Sequence, residues 1–317
     1  MGIKNFSALL KWKAPNVKKT ISIEKLKGKV IAVDAYWMIY TAITAIRASG
    51  KDFTNDKGEI TSHIVVIIRR INTFLKHDIL PVFVFDGPDN ELKQMEIEKR
   101  QETKKKAIAQ RKKAVSEKNT EVAKKLFKRT FTISEVEVES TKKLLTIMGI
   151  PWIQAPGEAD IVCALLTLRG IAYGVCSDDS DMLAYGAKRL YPQFFKTIRQ
   201  NEVTEIKLTD LLDELEMDKK QFVELAVLLG GPYYKPPKGV GLKTAYNKLH
   251  DGEDFNEIAG KDGIKIKKHY LATKKMDIKL KTPKLKPLDD IDLRKFLKKN
   301  SFQNSVIAEL VYPSRRN

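Results

Sequence analysis

Acidic residues in this sequence stand where buried strands are predicted to end. Asp34 directly follows the apolar run 29–33, and Asp86 directly follows the apolar run 80–85. Charged side chains are rarely buried unless they are paired or bound to a metal, so acids at such junctions indicate chemistry and not packing. Clustered carboxylates are the hard oxygen ligands that divalent cations such as Mg²⁺ require.

One stretch, residues 156–186, holds the remaining candidate acids. Its first part predicts a helix whose first turn carries Glu158 and Asp160, and a short apolar strand at 171–176 follows the helix. That strand runs into three closely spaced carboxylates: Asp178, Asp179 and Asp181. So many negative charges in one place repel one another, and bound cations would relieve the repulsion.

Strand-like and helix-like segments alternate along the chain. The strand candidates are near-continuous apolar runs, which are typical of strands covered on both faces, and helical spacing separates them, most clearly at 64–75. This pattern predicts an α/β fold with a mostly parallel central sheet and helices on both faces. Parallel strands present their carboxyl ends at one edge, where ligands bind. We therefore expect the acids that follow the strands to converge there.

The bulk composition narrows the class of partner. The 317 residues carry a formal net charge of +18, which favours binding to a polyanion, with nucleic acid first and an anionic membrane surface second. No apolar run is long enough to span a bilayer, and no signal-peptide segment is recognisable, so we expect no membrane insertion. Cys163 and Cys176 lie in apolar segments and are expected to be reduced core residues. The histidines show no ligand spacing with them, so a metal would need oxygen ligands.

The segment 91–129 is dominated by lysine and glutamate and contains neither glycine nor proline. It predicts a helical insertion that is basic and only weakly apolar. A charge run is most often a solvated helix face. Beside a carboxylate-lined site, we interpret this one as a cap over a phosphate backbone, with Lys104 and Arg111 among its contacts.

Two further features are candidates for contact with nucleic acid. The sequence Gly239-Val240-Gly241 precedes a helical segment that includes Lys243, and backbone amides at such a turn can hold a phosphate. A tight turn between two helices is the commoner explanation of this motif. Tyr40, in an aromatic-rich helix start, is the side chain that we consider for base stacking.

The order of the motifs VDAYWMIY, VFDG, PGEAD, SDDSDML and GVGLKTA, with the basic segment between the second and third, resembles the structure-specific 5′ nucleases of the XPG type. The flap endonucleases are the most similar branch, and the resemblance covers nearly the whole chain. It implies a PIN-like nuclease core, a helical arch through which a single-stranded 5′ flap passes, and a C-terminal helix-hairpin-helix region. The corresponding domains are the first part of the core, the arch, the second part of the core, and the helix-hairpin-helix region with a basic tail: 1–100, 101–131, 132–220 and 221–317.

The resemblance also implies roles for individual residues. Two Mg²⁺ ions would be held by six carboxylates: Asp34, Asp86, Glu158, Asp160, Asp179 and Asp181. Asp160 stands where many relatives have glutamate, and Asp178 stands at a position that is usually outside the metal shell. Lys93 and Arg100, two helical turns apart, match the basic pair that contacts the scissile phosphate. Gly2 near the metals, Tyr40 and the Gly239–Gly241 hairpin match DNA contacts, and the hairpin often holds a K⁺ ion.

One position departs from the family. After Gly230-Gly231 the family usually has an aspartate followed by tyrosine, whereas this chain has Pro232 and Tyr233. Proline offers neither a ligand nor an amide donor, so we expect a weaker second metal site. The segment 310–317 also lacks the family's clamp-binding peptide, of the form Gln-x-x-Leu-x-x-Phe-Phe, so no sliding-clamp contact is expected.

These features together predict a metal-dependent, monomeric 5′ nuclease. It would hydrolyse phosphodiester bonds at junctions of single- and double-stranded DNA in replication and repair, with 5′–3′ exonuclease activity as a further expectation. Its location would be intracellular: the nucleus in a eukaryote, otherwise the cytoplasm or a viral replication site. The first alternative is a DNA-binding protein derived from a nuclease and disabled by Pro232. The second is a magnesium-dependent phosphatase, but its Asp-x-Asp motif is missing at Asp34-Ala35-Tyr36.

Overall fold

The computed structural model of the protein describes residues 2–48, 52–88, 91–127, 130–275 and 278–311. A seven-stranded sheet organises the fold. Its strands are β1 (Lys18–Ser22), β2 (Val30–Asp34), β3 (Leu80–Phe85), β4 (Trp152–Gln154), β5 (Gly174–Cys176), β6 (Arg189–Leu190) and β7 (Glu202–Lys207). Their order in space is β1-β7-β6-β5-β2-β3-β4. The five strands from β6 to β4 are parallel, and β7 and β1 add an antiparallel edge. The predicted mostly parallel α/β fold is confirmed.

Helices cover both faces of this sheet. Within the described residues they are α1 (Phe6–Lys13), α2 (Ala35–Arg47), α3 (Ser62–Lys76), α4 (Glu91–Ser116), α5 (Thr120–Phe127), α6 (Glu135–Ile147), α7 (Ala159–Leu168), α8 (Asp181–Tyr185), α9 (Phe194–Thr197), α10 (Leu208–Leu215), α11 (Lys219–Leu229), α12 (Leu242–His250), α13 (Phe255–Leu271), α14 (Asp290–Lys299) and α15 (Asn304–Val311). None of the helices in these ranges is both long and apolar enough to cross a lipid bilayer.

Two apolar cores lie on opposite faces of the sheet. Alternate residues of β2 divide between them: Ala32 packs with α1, α7, α8 and α10 to α13, whereas Ile31 and Val33 pack with α2, α3, α6, α9, α14 and α15. Burial on both faces explains why the central strands read as continuous apolar runs. The two cysteines are buried in these cores as free thiols, as the sequence predicts.

The register of the central strands aligns their carboxyl ends. Asp34, the last residue of β2, pairs with Val84 of β3, and Val33 pairs with Cys176 of β5. Each strand is followed at once by a loop or a helix N-terminus, so the residues just beyond these positions meet at one edge of the sheet. We call this the carboxylate edge.

One segment of the chain extends beyond this sheet-and-helix core. The helices α4 and α5, which we call the cap, pack mainly against each other, and the small residues Ala107 and Ala114 are buried on one face of α4. Near the C-terminal end of the chain, α13 continues to Leu271 through a lysine-rich stretch, and its apolar residues such as Ile266 are buried. The predicted domain boundaries remain predictions.

Candidate active site

Asp34 and Asp86 are both fixed by backbone amides at the carboxylate edge. Asp34 caps the N-terminus of α2, and its Oδ1 accepts a hydrogen bond from the Trp37 backbone amide at 3.1 Å. Asp86 Oδ1 accepts from the backbone amide of Ala159, the first residue of α7, at 2.8 Å. The second bond ties the end of β3 to the start of α7, which brings the acids of α7 beside those that follow β2 and β3.

Glu158 and Asp160 lie at the N-terminus of α7, one at the N-cap position and one in the first turn. Glu158 is only 5% exposed, and its Oε2 accepts hydrogen bonds from the hydroxyls of Tyr185 and Tyr233 at 2.9 and 3.3 Å. Its Oε1 lies 3.4 Å from Nε2 of His269. Glu158 is therefore held by three side chains from later parts of the chain.

The acids after β5 divide into two kinds. Asp179 accepts a hydrogen bond from the Asp181 backbone amide at 2.9 Å, and Asp181 begins α8 with only 3% of its surface exposed. Asp178 instead faces away: its carboxylate accepts from the Trp37 indole at 3.0 Å and from the Gln193 backbone amide at 2.6 Å. The carboxylate of Asp178 thus links α2 to the backbone before α9, and its place outside the metal shell stays a prediction.

The buried acids repel one another strongly. Burial, followed by the charge of Asp86, raises the pKa of Asp34 to about 7. Burial also raises the pKa of Asp160, and the negative charges of its neighbours raise it further: Asp34, Asp179, Asp86 and Glu158. Asp34, Asp160 and their neighbours therefore form one electrostatic unit at this edge, and each ionised member makes the next harder to ionise.

This donor set fits a hard divalent cation. Within the described ranges, no group of three or more histidine, cysteine, aspartate or glutamate side chains is arranged so that it could hold a metal ion in this structure. The set nevertheless consists of oxygen ligands only, it is partly buried, and its mutual repulsion would be relieved by positive charge. Asp160 lies within electrostatic reach of Asp34, Asp86, Glu158 and Asp179, and Asp181 lies beside Asp179. Their role as metal ligands stays a prediction.

Gly2 lies against this group of acids. Its φ of +90° is in the left-handed region, and a Cβ at this position would overlap Asp179 Oδ1 and Ser180 Oγ. The next residue, Ile3, donates its amide to Ser180 Oγ at 2.9 Å. Only glycine allows the chain to run this close to the second acid pair.

The structure describes the predicted phosphate and DNA contacts less completely than it describes the acids. Lys93 and Arg100 are on α4, but the side chains at 91–100 lie outside the described residues. Tyr40 is 37% exposed on α2, next to the edge. Lys104 is half-buried on α4. Arg111 packs its guanidinium 4.5 Å from the ring of Phe127 in α5, so it also holds the two cap helices together.

The Gly239–Gly241 hairpin joins α11 to α12 and is exposed. Gly239 has a φ of +84°, and Gly241 occupies the N-cap position of α12. A Cβ at either glycine would meet no other atom within 4 Å, so the backbone of this turn is accessible. Lys243 is exposed on the first turn of α12, with Nζ 5.8 Å from the Trp12 ring.

Four side chains near the acids were not identified from the sequence as site residues. These are Tyr185, Tyr233, His269 and Tyr270, and they contact Glu158 and Asp181. Tyr185 stands four residues after Asp181, so the helical spacing placed both on one face. No pattern in the sequence signals His269 or Tyr270, because α13 reaches the site only through long-range packing.

Comparison with known proteins gives a consistent result. The family described as XPG N-terminal domain matches residues 1–107, and the XPG I-region matches residues 149–231. The chain is 35% identical over 320 residues to Flap endonuclease 1 of Theileria parva, covering 98% of this chain and 65% of that protein. It spans about half the length of several other curated relatives that it matches.

Two solved structures share the whole architecture. Flap endonuclease-1 from Methanococcus jannaschii superposes with a TM-score of 0.71 at 31% identity, covering 93% of this chain and 94% of that one. The catalytic core of Rad2 in complex with DNA substrate superposes with a TM-score of 0.69 at 25% identity, covering 99% and 100%.

Proposed function

The chain belongs to the flap endonuclease family of XPG-type nucleases, and from this membership we propose that it is a structure-specific 5′ nuclease. It cleaves phosphodiester bonds where single-stranded 5′ flaps meet duplex DNA, in replication and repair, and it also degrades DNA from 5′ ends. The observation that carries the proposal is the convergence of carboxylates from β2, β3, α7 and the β5–α8 junction at one edge of the sheet.

The carboxylate edge would hold two Mg²⁺ ions. Asp34, Asp86, Glu158 and Asp160 would bind the first, and Asp179 and Asp181 the second. When bound, such ions lower the pKa of an attacking water and neutralise the charge that develops on the phosphate. The protein's own part is to fix the carboxylates through backbone amides, as at Asp34 and Asp86, so that little reorganisation is needed on binding.

The basic residues bind and orient the DNA. Lys93 and Arg100, on the helix that follows Asp86, would donate to the scissile phosphate and stabilise its negative charge in the transition state. Lys104 and Arg111 of the cap, and Lys243 beside the exposed hairpin, would bind phosphates of the flap and the duplex. Most of these contacts are to the backbone, so DNA affinity falls steeply with salt concentration.

We extend the proposal to a bound K⁺ ion, the oligomeric state and the location in the cell. The Gly239–Gly241 turn would hold the duplex backbone with a K⁺ ion, which an accessible turn of this kind supports. We propose a monomer, which light scattering on the purified protein tests. The buried free thiols of Cys163 and Cys176 support an intracellular location: the nucleus in a eukaryote, otherwise the cytoplasm or a viral replication site. Microscopy of a tagged chain would test this.

A second function is favoured by one position. Pro232 stands where the family usually has an aspartate, and it removes one carboxylate from the second metal site. A protein that binds flap DNA but cuts it slowly or not at all would result if that loss were not compensated. This alternative shares the DNA-binding surfaces of the nuclease and differs from it only in turnover.

Cleavage of an end-labelled 5′-flap duplex distinguishes the two functions. The wild-type chain is expected to cut near the junction in Mg²⁺, and Asp86→Ala to abolish cutting while DNA binding persists. Pro232→Asp adds the missing carboxylate and is expected to raise the rate at low Mg²⁺ concentration. A wild-type protein that binds the flap and never cuts, in Mg²⁺ or Mn²⁺, would instead establish the DNA-binding alternative.

A further inference from the structure

The loop that carries Pro232 brings an aromatic residue to the acids. Tyr233 follows Pro232 directly, and its hydroxyl lies 3.3 Å from Glu158 Oε2. The hydroxyl of Tyr185, from α8, approaches the same oxygen at 2.9 Å. Two neutral hydroxyl groups, from different parts of the chain, are therefore directed at one carboxylate oxygen of the edge.

His269 is the third member of this network. Its Nε2 lies 3.0 Å from the Tyr185 hydroxyl and 3.4 Å from Glu158 Oε1. The three rings pack edge-on, with centroids 5.7 Å apart for Tyr185 and His269 and 6.1 Å for Tyr233 and His269. The side chains are thus held by one another as well as by their hydrogen bonds.

Counting protons fixes the direction of these hydrogen bonds. A carboxylate only accepts, and a tyrosine hydroxyl has one proton to donate. The Tyr185 hydroxyl, 2.9 Å from Glu158 Oε2, therefore donates its proton to that carboxylate. The oxygen of Tyr185 must then accept from His269, which therefore carries a hydrogen on Nε2. Because that N–H also faces Glu158 Oε1, His269 supports the carboxylate both directly and through Tyr185.

The neighbouring acid has the same kind of support. The hydroxyl of Tyr270, beside His269 on α13, hydrogen-bonds Asp181, and its ring lies 4.8 Å from that of Tyr185. A carboxylate assigned to each of the two metals is therefore held by an aromatic residue of one continuous cluster. The cluster joins the C-terminal half of the chain to the carboxylate edge.

We propose that Tyr185 and His269 are positioning residues for Glu158, and that this relay fixes the Glu158 carboxylate in the orientation needed to bind the first metal. The inference rests on the proposed metal-dependent function. Partners that orient a ligating group are worth about 10–100-fold in metal affinity, so the loss of either residue should be measurable as weaker metal binding. The relay acts by holding one carboxylate in place.

Calorimetric titration of the full-length protein with Mg²⁺ and with Mn²⁺, without DNA, tests the relay directly. The variants are Tyr185→Phe, His269→Ala, their combination, and His269→Gln, which keeps a side-chain N–H. The matched control is Tyr246→Phe, because Tyr246 is a buried tyrosine whose hydroxyl donates to the Leu215 carbonyl, away from the acids. Thermal melting in EDTA is measured in parallel for every variant.

Tyr185→Phe is expected to weaken Mg²⁺ and Mn²⁺ binding about tenfold, and His269→Ala by a similar factor. Because the two residues act in series, the double variant is expected to lose little more than either single variant. His269→Gln is expected to retain most of the affinity for both ions, and Tyr246→Phe all of it.

Three results would overturn the inference. If Tyr185→Phe and His269→Ala melted at a lower temperature than wild type but bound both ions with unchanged affinity, the network would have a purely structural role. If His269→Gln lost Mn²⁺ affinity and kept Mg²⁺ affinity, the imidazole would be a direct ligand and not a positioning group. A wild-type chain that bound neither ion would remove the proposed function and this inference together, and the wild-type titration alone identifies that case.

Discussion

The carboxylate edge and the cap are built on opposite principles. At the edge, Asp34 and Asp86 are fixed by backbone amides of neighbouring elements, and Glu158 is enclosed by three side chains. The cap consists of α4 and α5, which pack mainly against each other and carry exposed lysines on most sides. The geometry of the edge is therefore set by the packing of the folded core. The cap instead carries its positive charges on two helices that bury few apolar residues among those the structure describes.

Arg47 joins the C-terminal end of the cap to the core. This last residue of α2 is 6% exposed, and its guanidinium makes two hydrogen bonds to Asp52, at 2.9 and 2.7 Å. It also donates to the Phe127 carbonyl and to Thr130 Oγ1, both at 3.3 Å. The rings of Phe127 and Phe131 lie 4.4 and 4.8 Å from it. A single planar cation thus joins the end of α5 to the core.

The comparison shows that unfavourable electrostatic repulsion is concentrated at the carboxylate edge, whereas the cap is the region expected to move more easily. The edge holds like charges together in the absence of cations, so its geometry is prepared at the expense of stability. Among the side chains that the structure describes, the cap buries few apolar groups, such as Ala107 and Ala114, which is typical of segments that open at low free energy. A substitution in each region should accordingly change different measured quantities.

Replacing Asp34 by asparagine should have the largest effect and should change stability and activity in opposite directions. Asparagine keeps the oxygen that caps α2 but removes one charge from the repelling group, so cleavage is expected to fall about 10³-fold or more. In EDTA at pH 8, Asp34→Asn is expected to be more stable than wild type by roughly 1–3 kcal/mol. Chemical denaturation and flap cleavage measure the two effects.

The pH dependence of this stability difference follows from the raised pKa. The folded protein holds a proton on Asp34 up to about pH 7, whereas the unfolded chain releases it near pH 4. The free energy of unfolding of the metal-free wild type therefore falls as pH rises through this window, and the advantage of Asp34→Asn shrinks toward zero near pH 4. Asp210→Asn is the control of opposite sign, because the Lys19 hydrogen bond lowers the pKa of Asp210. A stability gain at Asp210, or none at Asp34, would contradict this account.

The local parts of the edge were predictable from the sequence. Asp34 and Asp86 each follow an apolar strand without an intervening residue, so strand prediction alone places them, and the parallel pairing of β2 and β3 aligns them. Glu158 and Asp160 were also predictable, because they stand at the start of α7, an apolar helix that is buried along nearly its whole length. In each case the position depends on secondary structure and on one rule about parallel sheets.

The supporting side chains were not predictable in this way. His269 lies 111 residues after Glu158, and it reaches the site because α13 packs against α11 and α8. Arg111 was assigned to DNA from its charge, whereas its stacking on Phe127 depends on how α4 and α5 meet. Contacts of this kind are set by tertiary packing, and a single sequence carries no periodic signal for them.

Replacing Arg47 by lysine should loosen the cap and leave the edge unchanged. Lysine keeps the positive charge but loses the paired hydrogen bonds to Asp52 and the planar stacking between two rings. We expect a loss of about 1–3 kcal/mol in the free energy of unfolding and faster proteolysis within the cap. Limited proteolysis followed by mass spectrometry locates the cuts, and calorimetric titration measures Mg²⁺ affinity, which should not change.

Arg294→Lys provides the control for Arg47→Lys. Arg294 is 37% exposed on α14 and lies 3.7 Å from Asp290, so the same chemical change there should affect neither proteolysis of the cap nor stability by more than about 0.5 kcal/mol. If Arg47→Lys weakened Mg²⁺ binding as strongly as it exposed the cap, the two regions would be coupled and the comparison would fail.

Replacing Lys104 by glutamine should have the smallest effect, and only on DNA binding. One phosphate contact fewer is expected to reduce the slope of log affinity against log salt concentration by about 1 and to weaken binding a few-fold at 0.1 M salt. Lys25→Gln removes an equal charge from an exposed position near the start of β2, at the opposite end of the strand from Asp34, and should leave the slope unchanged. Fluorescence anisotropy with a labelled flap duplex at several salt concentrations measures both slopes. Equal changes in the two variants would mean that the cap attracts DNA only through the net charge of the protein, and its role as a specific binding surface would then be wrong.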